Sequence, residues 1–331
     1  MHCLNLTFLL LFSLALDQAV ERPRFSPIPD SQQILKSEKT GAANIIFKST
    51  DGGQTWQDIS DGLPVDVQAD GLVENENENE LYLRAGNGIY HRNPAAPFWK
   101  KEILPNGQSN MAPGKTGIVA YNYQQGQFLQ KVNGTGLWLP MFPNLQQKQV
   151  RTIFETIRGA AFIGSDQGLF KSTDSGKTWK QVYTGGWVIK MIESNGLLLA
   201  TSQEGIIRST DEGENWELVI SEGGVGIAIE PIKGGFAAIT CNTESETRRV
   251  RTSYDSGKTW QPIDAGLPES LLIASIVEVG ESLFCGHPDG IFRSSDKGKT
   301  WELLLPSPEN KVFNLYVSGK VMYAIPRAGG C

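Results

Sequence analysis

Between residues 150 and 183 the chain runs through a short cycle of apolar alternation and polar breaks. Val150 to Ile157 alternates apolar and polar side chains, which is the period of a half-buried strand. Ala160 to Gly164 is a short apolar run, and Gly168 to Ser172 a third strand-sized segment. Thr178 to Tyr183 is a fourth, entered through a polar turn rich in Ser, Asp and Gly. Four such segments joined by tight turns predict one small antiparallel sheet.

That polar turn recurs. Ser49-Thr-Asp-Gly-Gly-Gln-Thr-Trp56 returns as Ser172 to Trp179, Ser209 to Trp216, Ser253 to Trp260 and Ser294 to Trp301. The shared pattern is Ser-x-Asp-x-Gly-x-Thr/Asn-Trp, with its acidic position at Asp51, Asp174, Asp211, Asp255 and Asp296. The gap from Trp56 to Trp179 is 123 residues, or three periods of 41, so two decayed copies are expected inside it. Trp99 and Trp138 stand at those places. Arg92 to Trp99 has lost the Asp and Gly, and Lys131 to Trp138 keeps only Asn133 at the acidic position. Of the eight Trp in the chain, Trp187 alone has no place in this series.

Four short antiparallel strands per period of about 41 residues are the sequence signature of a propeller blade. The box suits the hairpin between the third and fourth strands. Its Asp can accept backbone N–H groups and its Gly can take a positive φ, while the Trp starts the outer strand with its ring turned inward. Only one strand, Asn44 to Ser49, precedes the first box, whereas the tail supplies two, Val312 to Val317 and Val321 to Ile325. The last two and first two strands are therefore expected to share one blade and close the ring. The fold expected for residues 43–331 is all-β, a seven-bladed β-propeller.

Ahead of the ring, Leu4 to Leu16 is almost unbroken apolar sequence. It is shorter than the roughly 20 residues that span a bilayer. Ser13 and Ala15 are spaced for signal peptidase, and Ala19 offers a second cleavage point. Residues 1–19 thus read as a signal peptide and 20–42 as a polar, Pro-dotted linker, with the product secreted or periplasmic. No Lys or Arg precedes the apolar run, so a buried strand or uncleaved anchor is the alternative. No other segment is fit to cross a membrane. Lys+Arg 30 against Asp+Glu 36 gives a net charge of −6, and without a basic run nucleic acid is excluded as the expected partner. Four Cys exclude a disulfide scaffold. Cys241 and Cys285 fall on adjacent blades in offset registers and are expected to stay unpaired.

The repeated box resembles the Asp-box, or bacterial neuraminidase repeat, and the resemblance covers nearly all of 43–331. Proteins carrying this repeat include sialidases, xyloglucan-cleaving endoglucanases, sortilin-type receptors and photosystem II stability/assembly factors. The chain is most similar to the last group in its length, single ring and leader. It also shares the run Gly-Ile-Phe-Arg-Ser-x-Asp-x-Gly-x-Thr-Trp, which stands here as Gly290 to Trp301 and is echoed at Gly88, Gly168 and Gly205. Sialidase and sortilin propellers are more distant. A sialidase resemblance implies three Arg on a substrate carboxylate, an early Arg-Ile-Pro, a Tyr nucleophile with a Glu, and an acidic proton donor. Arg-Ile-Pro is absent, and no spacing brings Arg84, Arg151, Arg248 and Arg327 together. The xyloglucan-cleaving resemblance implies two propellers, and this sequence reads as one.

The remaining chemistry is sparse. The five box Asp lack the ligand series and distal Glu of a calcium loop, so they read as turn structure. Cys285-Gly286-His287 reads as a buried strand Cys followed by a loop His rather than a nucleophile beside a base. Glu74 to Glu80 reads as a solvated hairpin loop, with cation or partner contact as the alternative. No metal or cofactor is expected. Binding is expected on the face of the second-to-third-strand turns and interblade connections, which carries Arg84, Asp166, Glu204, Glu244, Arg248, His287, Asp289 and Arg327. Asn87 and Gln167 accompany them, and Cys241 to Arg249 reads as the longest loop there. The expected function is a monomeric, non-catalytic scaffold that binds a protein partner. The alternative is a sialidase-like glycoside hydrolase or a glycan-binding lectin.

Overall fold

A computed structural model describes residues 43–328 apart from 76–77, 94–95, 105–109, 115–116, 143–144, 146–148, 223 and 309–310. The expected leader and linker, with Cys3 and Cys331, lie outside the described residues. Twenty-eight strands form seven four-stranded antiparallel sheets among those residues. Within each blade the strands are named a to d from the axis outward.

Blade 1 is built from both ends of the chain. Its strands are Val312–Ser318, Val321–Arg327, Phe47–Ser49 and Gln57–Asp58. The join is a register of Phe47 with Ala324, Lys48 with Tyr323 and Ser49 with Met322. Blade 2 holds Ala69–Asn75, Glu80–Ala85, Gly88–Arg92 and Lys100–Lys101. Blade 3 holds Asn110–Gly114, Gly117–Tyr121, Phe128–Val132 and Leu137–Met141. Blade 4 holds Val150–Glu155, Ala161–Ser165, Gly168–Ser172 and Lys180–Tyr183. Blade 5 holds Val188–Ser194, Leu197–Ser202, Gly205–Ser209 and Glu217–Ile220. Blade 6 holds Gly224–Ile232, Gly235–Asn242, Thr247–Ser253 and Gln261–Pro262. Blade 7 holds Ser275–Val279, Ser282–His287, Gly290–Ser294 and Glu302–Pro306. Each a strand packs against the next, and that of blade 1 against that of blade 2, so the ring is closed.

The core lies between blades, because each sheet is apolar on both faces. One cluster joins Val277, Phe284 and Ile291 of blade 7 to Phe47, Phe313 and Met322 of blade 1. Such faces have no partner except a neighbouring blade, which makes closure of the ring part of the hydrophobic stabilisation.

The intact boxes share one geometry, except that in blade 7 the Trp301 indole donates to the Ile263 carbonyl of the preceding blade at 2.6 Å. In blade 6, Ser253 Oγ donates to Asp255 Oδ1 at 2.8 Å and accepts from the Gly257 N–H at 3.0 Å. The Thr259 N–H and hydroxyl close on the two Asp255 oxygens at 2.9 and 2.6 Å, and the Trp260 indole N–H donates to the Gly257 carbonyl at 3.1 Å. Where blade 5 has Asn215 in place of Thr, its Nδ2 donates to Asp211 Oδ2 at 2.7 Å, so the amide serves as the hydroxyl does. The residue after the Asp is also left-handed, with φ of 60 at Ser175 and Glu212, and the box Gly follows at 81 and 83. Two successive left-handed residues aim backbone N–H groups at the carboxylate. A side chain at Gly176 would put its Cβ 2.0 Å from Phe142 Cδ1, and one at Gly213 would sit 2.5 Å from Phe162 Cζ. The box thus seats on the preceding blade, where Trp179 meets Phe142 edge-on at 5.3 Å and Trp216 meets Phe162 at 6.3 Å.

The decayed copies replace the box Ser with a long cation. Arg92 donates to the Ile59 carbonyl of blade 1 at 2.9 Å, and Trp99 donates to the same oxygen at 2.7 Å. Lys131 reaches into blade 2, donating to the Tyr82 hydroxyl and to Glu102 Oε1, each at 2.6 Å. Trp138 donates to Glu102 Oε2 at 3.1 Å. Within the Glu74 to Glu80 run, Glu74 and Asn75 end strand a of blade 2 and Glu80 begins strand b, and the described residues are not simply solvated. Asn75 is buried and donates to Asn133 Oδ1 at 3.2 Å, while Glu78 accepts from the Gly134 N–H, so the turn braces the decayed box of blade 3. Cys241 and Cys285 are free thiols in different sheets. Among the described residues no helix is long and apolar enough to cross a membrane.

Candidate functional site

Antiparallel order places every b–c turn and d–a connection at one end of the strands, opposite the boxes and a–b turns. The predicted face residues all lie at that end, but they are not equivalent. Asp289 and Glu204 are exposed on b–c turns of blades 7 and 5, Glu244 is exposed in the 243–246 turn of blade 6, and Arg327 ends the b strand of blade 1. Asn87 and Gln167 are exposed turn tips of blades 2 and 4. His287 is buried. Its Nε2 donates to the Pro268 carbonyl and its Nδ1 accepts from the Asp289 N–H, both at 3.0 Å. Burial lowers its pKa, so the imidazole is neutral and ties two loops together. Cys285 is also buried, which pushes its thiol far above the range of a nucleophile. Arg248 is buried and donates to the Ile273 carbonyl at 2.6 Å. The expected 241–249 loop is a strand hairpin, since pairing runs through Asn242 and Thr247 and leaves only residues 243–246 as a turn.

The four arginines weighed against a sialidase triad, Arg84, Arg151, Arg248 and Arg327, do not converge. Arg84 donates to Asp70 and Asn110 at the junction of blades 2 and 3. Arg151, on the a strand of blade 4, donates through Nε to Asp166 on the b–c turn of the same blade. Arg248 serves blade 6, as above, and Arg327 stands in blade 1.

Around Arg151 the chain builds an aromatic and polar cluster from one strand and three adjacent connections. Tyr123, on the b–c turn of blade 3, has its ring centroid 5.5 Å from the Arg151 guanidinium carbon and donates its hydroxyl to Asp166 Oδ2 at 2.7 Å. Trp187, in the connection entering blade 5, has its ring 5.6 Å from the same carbon. Both aromatic residues are half-buried. Tyr121 supports the base of the cluster by donating to the Arg151 carbonyl at 2.7 Å. Burial pushes the Asp166 carboxyl up, but the hydrogen bonds from Arg151 and Tyr123 outweigh it and hold the pKa below the ordinary carboxylate range.

The residues just before Trp187, Gly185 and Gly186, line an open cleft of about 640 Å³ together with Gln203, Glu204, Ser221 and Thr243. Tyr183 donates to Glu204 Oε2 at 2.7 Å. Burial and that carboxylate push the phenol up to about 12, so it remains a donor at neutral pH. The cluster and the cleft together carry three aromatic rings, one guanidinium and two carboxylates on the connection face of blades 3 to 6. Among the described residues no group of three His, Cys, Asp or Glu is placed to hold a metal ion.

Sequence reasoning named Asp166 and Glu204 on this face, and Arg151 only among four arginines that no spacing brings together. It missed Tyr123, Tyr183 and Trp187. The available signal was Trp187 itself, the single tryptophan outside the box series.

Residues 47–58 match the BNR/Asp-box repeat. A xyloglucanase from Hypocrea jecorina (strain QM6a) is 28% identical over 162 residues, covering 46% of this chain and 18% of that protein. The chain therefore spans less than one fifth of the length of this curated relative. An ancestral GH74 enzyme superposes with a TM-score of 0.61 at 15% identity, over 85% of this chain and 45% of that one. A streptogramin B lyase superposes with a TM-score of 0.59 at 13% identity, over 85% of this chain and 97% of that one. At these identities the two structures share a fold. The chain is a seven-bladed β-propeller built on Asp-box repeats.

Proposed function

We propose that the propeller binds a glycan along the track marked by Tyr123, Arg151, Asp166 and Trp187. The observation that carries this reading is the grouping of two half-buried aromatic rings with a fixed Arg–Asp pair beside an open cleft. A pyranose has an apolar C–H face and a polar edge. An aromatic ring takes the first, and rigid planar donors and acceptors take the second. Tyr123 and Trp187 supply the rings, Arg151 the donors, and Asp166 and Glu204 the acceptors.

The sequence match to a protein named xyloglucanase supports this reading over the protein-binding scaffold, which has no observation of its own in its favour. Isothermal titration with xyloglucan oligosaccharides tests it. Binding by the native protein, weakened at least about tenfold by Trp187→Ala, is expected. Release of new reducing ends, lost in Asp166→Asn, would make the site a hydrolase rather than a lectin. Capture of a protein at this face, without glycan binding, would restore the scaffold. Export through the residue 1–19 leader belongs to the same proposal, and N-terminal sequencing of the mature protein tests it.

A further inference from the structure

The glycan reading leaves open whether the ligand is neutral or acidic, and the arrangement around Arg151 bears on that choice. An acidic sugar needs a cation whose charge is not already matched. Arg151 is the guanidinium beside both aromatic rings, and Asp166 closes on its Nε. The Tyr123 hydroxyl locks Asp166 from the other side at 2.7 Å, so the carboxylate cannot swing away without breaking two hydrogen bonds. Glu204 adds a second carboxylate on the b–c turn of the next blade, where it lines the cleft.

We propose that Asp166 is a specificity-determining residue that masks the charge of Arg151 and restricts the track to uncharged glycans. The inference rests on the glycan reading above. A guanidinium carries five N–H donors, and the bond through Nε leaves the terminal ones able to meet sugar hydroxyls. Its net charge, however, is cancelled within the site. A ligand carboxylate entering there meets Asp166 and Glu204 beside a guanidinium whose charge Asp166 already matches, and the like charges oppose binding. Trp187 meets the guanidinium by cation–π contact independently of Asp166, and Tyr123 does so while also donating to Asp166, so neutralising the carboxylate as Asn unmasks Arg151 without releasing it.

The test is a titration of two probes of equal length, a neutral xyloglucan oligosaccharide and an oligogalacturonate, against native protein, Asp166→Asn and Asp166→Asn/Arg151→Gln. The native protein is expected to bind the neutral probe at least tenfold more tightly than the acidic one. Asp166→Asn should bind the acidic probe at least tenfold more tightly than the native protein does, and the double variant should lose that gain. Thermal melting of each variant confirms that the ring is folded, and Glu204→Gln, a second removal of negative charge, should give a smaller gain. Equal affinity of the native protein for both probes, or no gain in folded Asp166→Asn, overturns the role of Asp166 while leaving glycan binding intact. Binding of neither probe to any of the proteins overturns both readings.

Discussion

The Trp187 indole lies 5.6 Å from the guanidinium carbon of Arg151. The tryptophan that breaks the box series therefore stands on the opposite face from the boxes, in a connection whose length the hairpin geometry does not fix. Seven tryptophans mark hairpins and interblade packing, and the eighth faces the charged group at the centre of the candidate site. The same residue type does two jobs, distinguished by the end of the strand on which it sits.

Trp99 tests the packing of a decayed copy. It is 2% exposed and donates to the Ile59 carbonyl of the preceding blade. Trp99→Ala is expected to cost about 3–5 kcal/mol from lost burial and the cavity left behind. Urea denaturation should show this as a lower midpoint with an unchanged slope.

Gly213 tests the seating of an intact box. Its φ is 83, and a Cβ there would lie 2.5 Å from Phe162 Cζ on the preceding blade. Gly213→Ala must strain the backbone and displace a buried ring, and a loss of at least about 2 kcal/mol is expected. Gly196→Ala is the control, with φ 76 but nothing within 4 Å, and should cost less in the same melt.

Lys131 and Glu102 are both almost completely buried, with side chains 8% and 7% exposed. Lys131→Met leaves Glu102 facing His91 and Trp138 without its main counter-charge. Removing one partner of a buried pair typically costs about 3–5 kcal/mol, and chemical denaturation should report a loss of that order. The double change Lys131→Met with Glu102→Leu should recover part of it.

The boxes set an acid limit. Asp174 and Asp296 are held down to about 2, chiefly by the Thr hydroxyl and N–H that close each turn. For Asp211 the Asn215 backbone and side chain have the same effect. These folded-state values lie below the roughly 3.9 of an unfolded Asp. The stabilisation is therefore complete above about pH 4 and fades as pH falls towards 2. Melting temperature should drop across that window, and Asp→Asn changes in the boxes should flatten the curve there.

The ring was legible because its signals are local and repeated. The spacing of Trp56, Trp179, Trp216, Trp260 and Trp301 depends only on a hairpin that each blade must make. The shared blade followed from counting strands at the two ends, and Phe47 does pair with Ala324. The candidate site was less legible because its parts are far apart in sequence. Arg151 comes from a strand and Tyr123, Asp166 and Trp187 from three separate connections, and only the fold brings them together. His287 and Arg248 looked like surface chemistry because a residue name at a strand end does not reveal that a neighbouring d–a connection covers it. The extra left-handed residue was equally hidden in four of the five intact boxes, since Ser175, Glu212, Ser256 and Lys297 are not glycines, whereas the first box has Gly52 there.

The most direct test of the glycan-binding face is isothermal titration of native protein and Trp187→Ala with the same xyloglucan oligosaccharide, both shown to be folded by their melting curves. Saturable binding by the native protein, with affinity reduced at least about tenfold in the variant, is the expected result. Absence of binding by the native protein, or equal affinity in the folded variant, would contradict the assignment of this face.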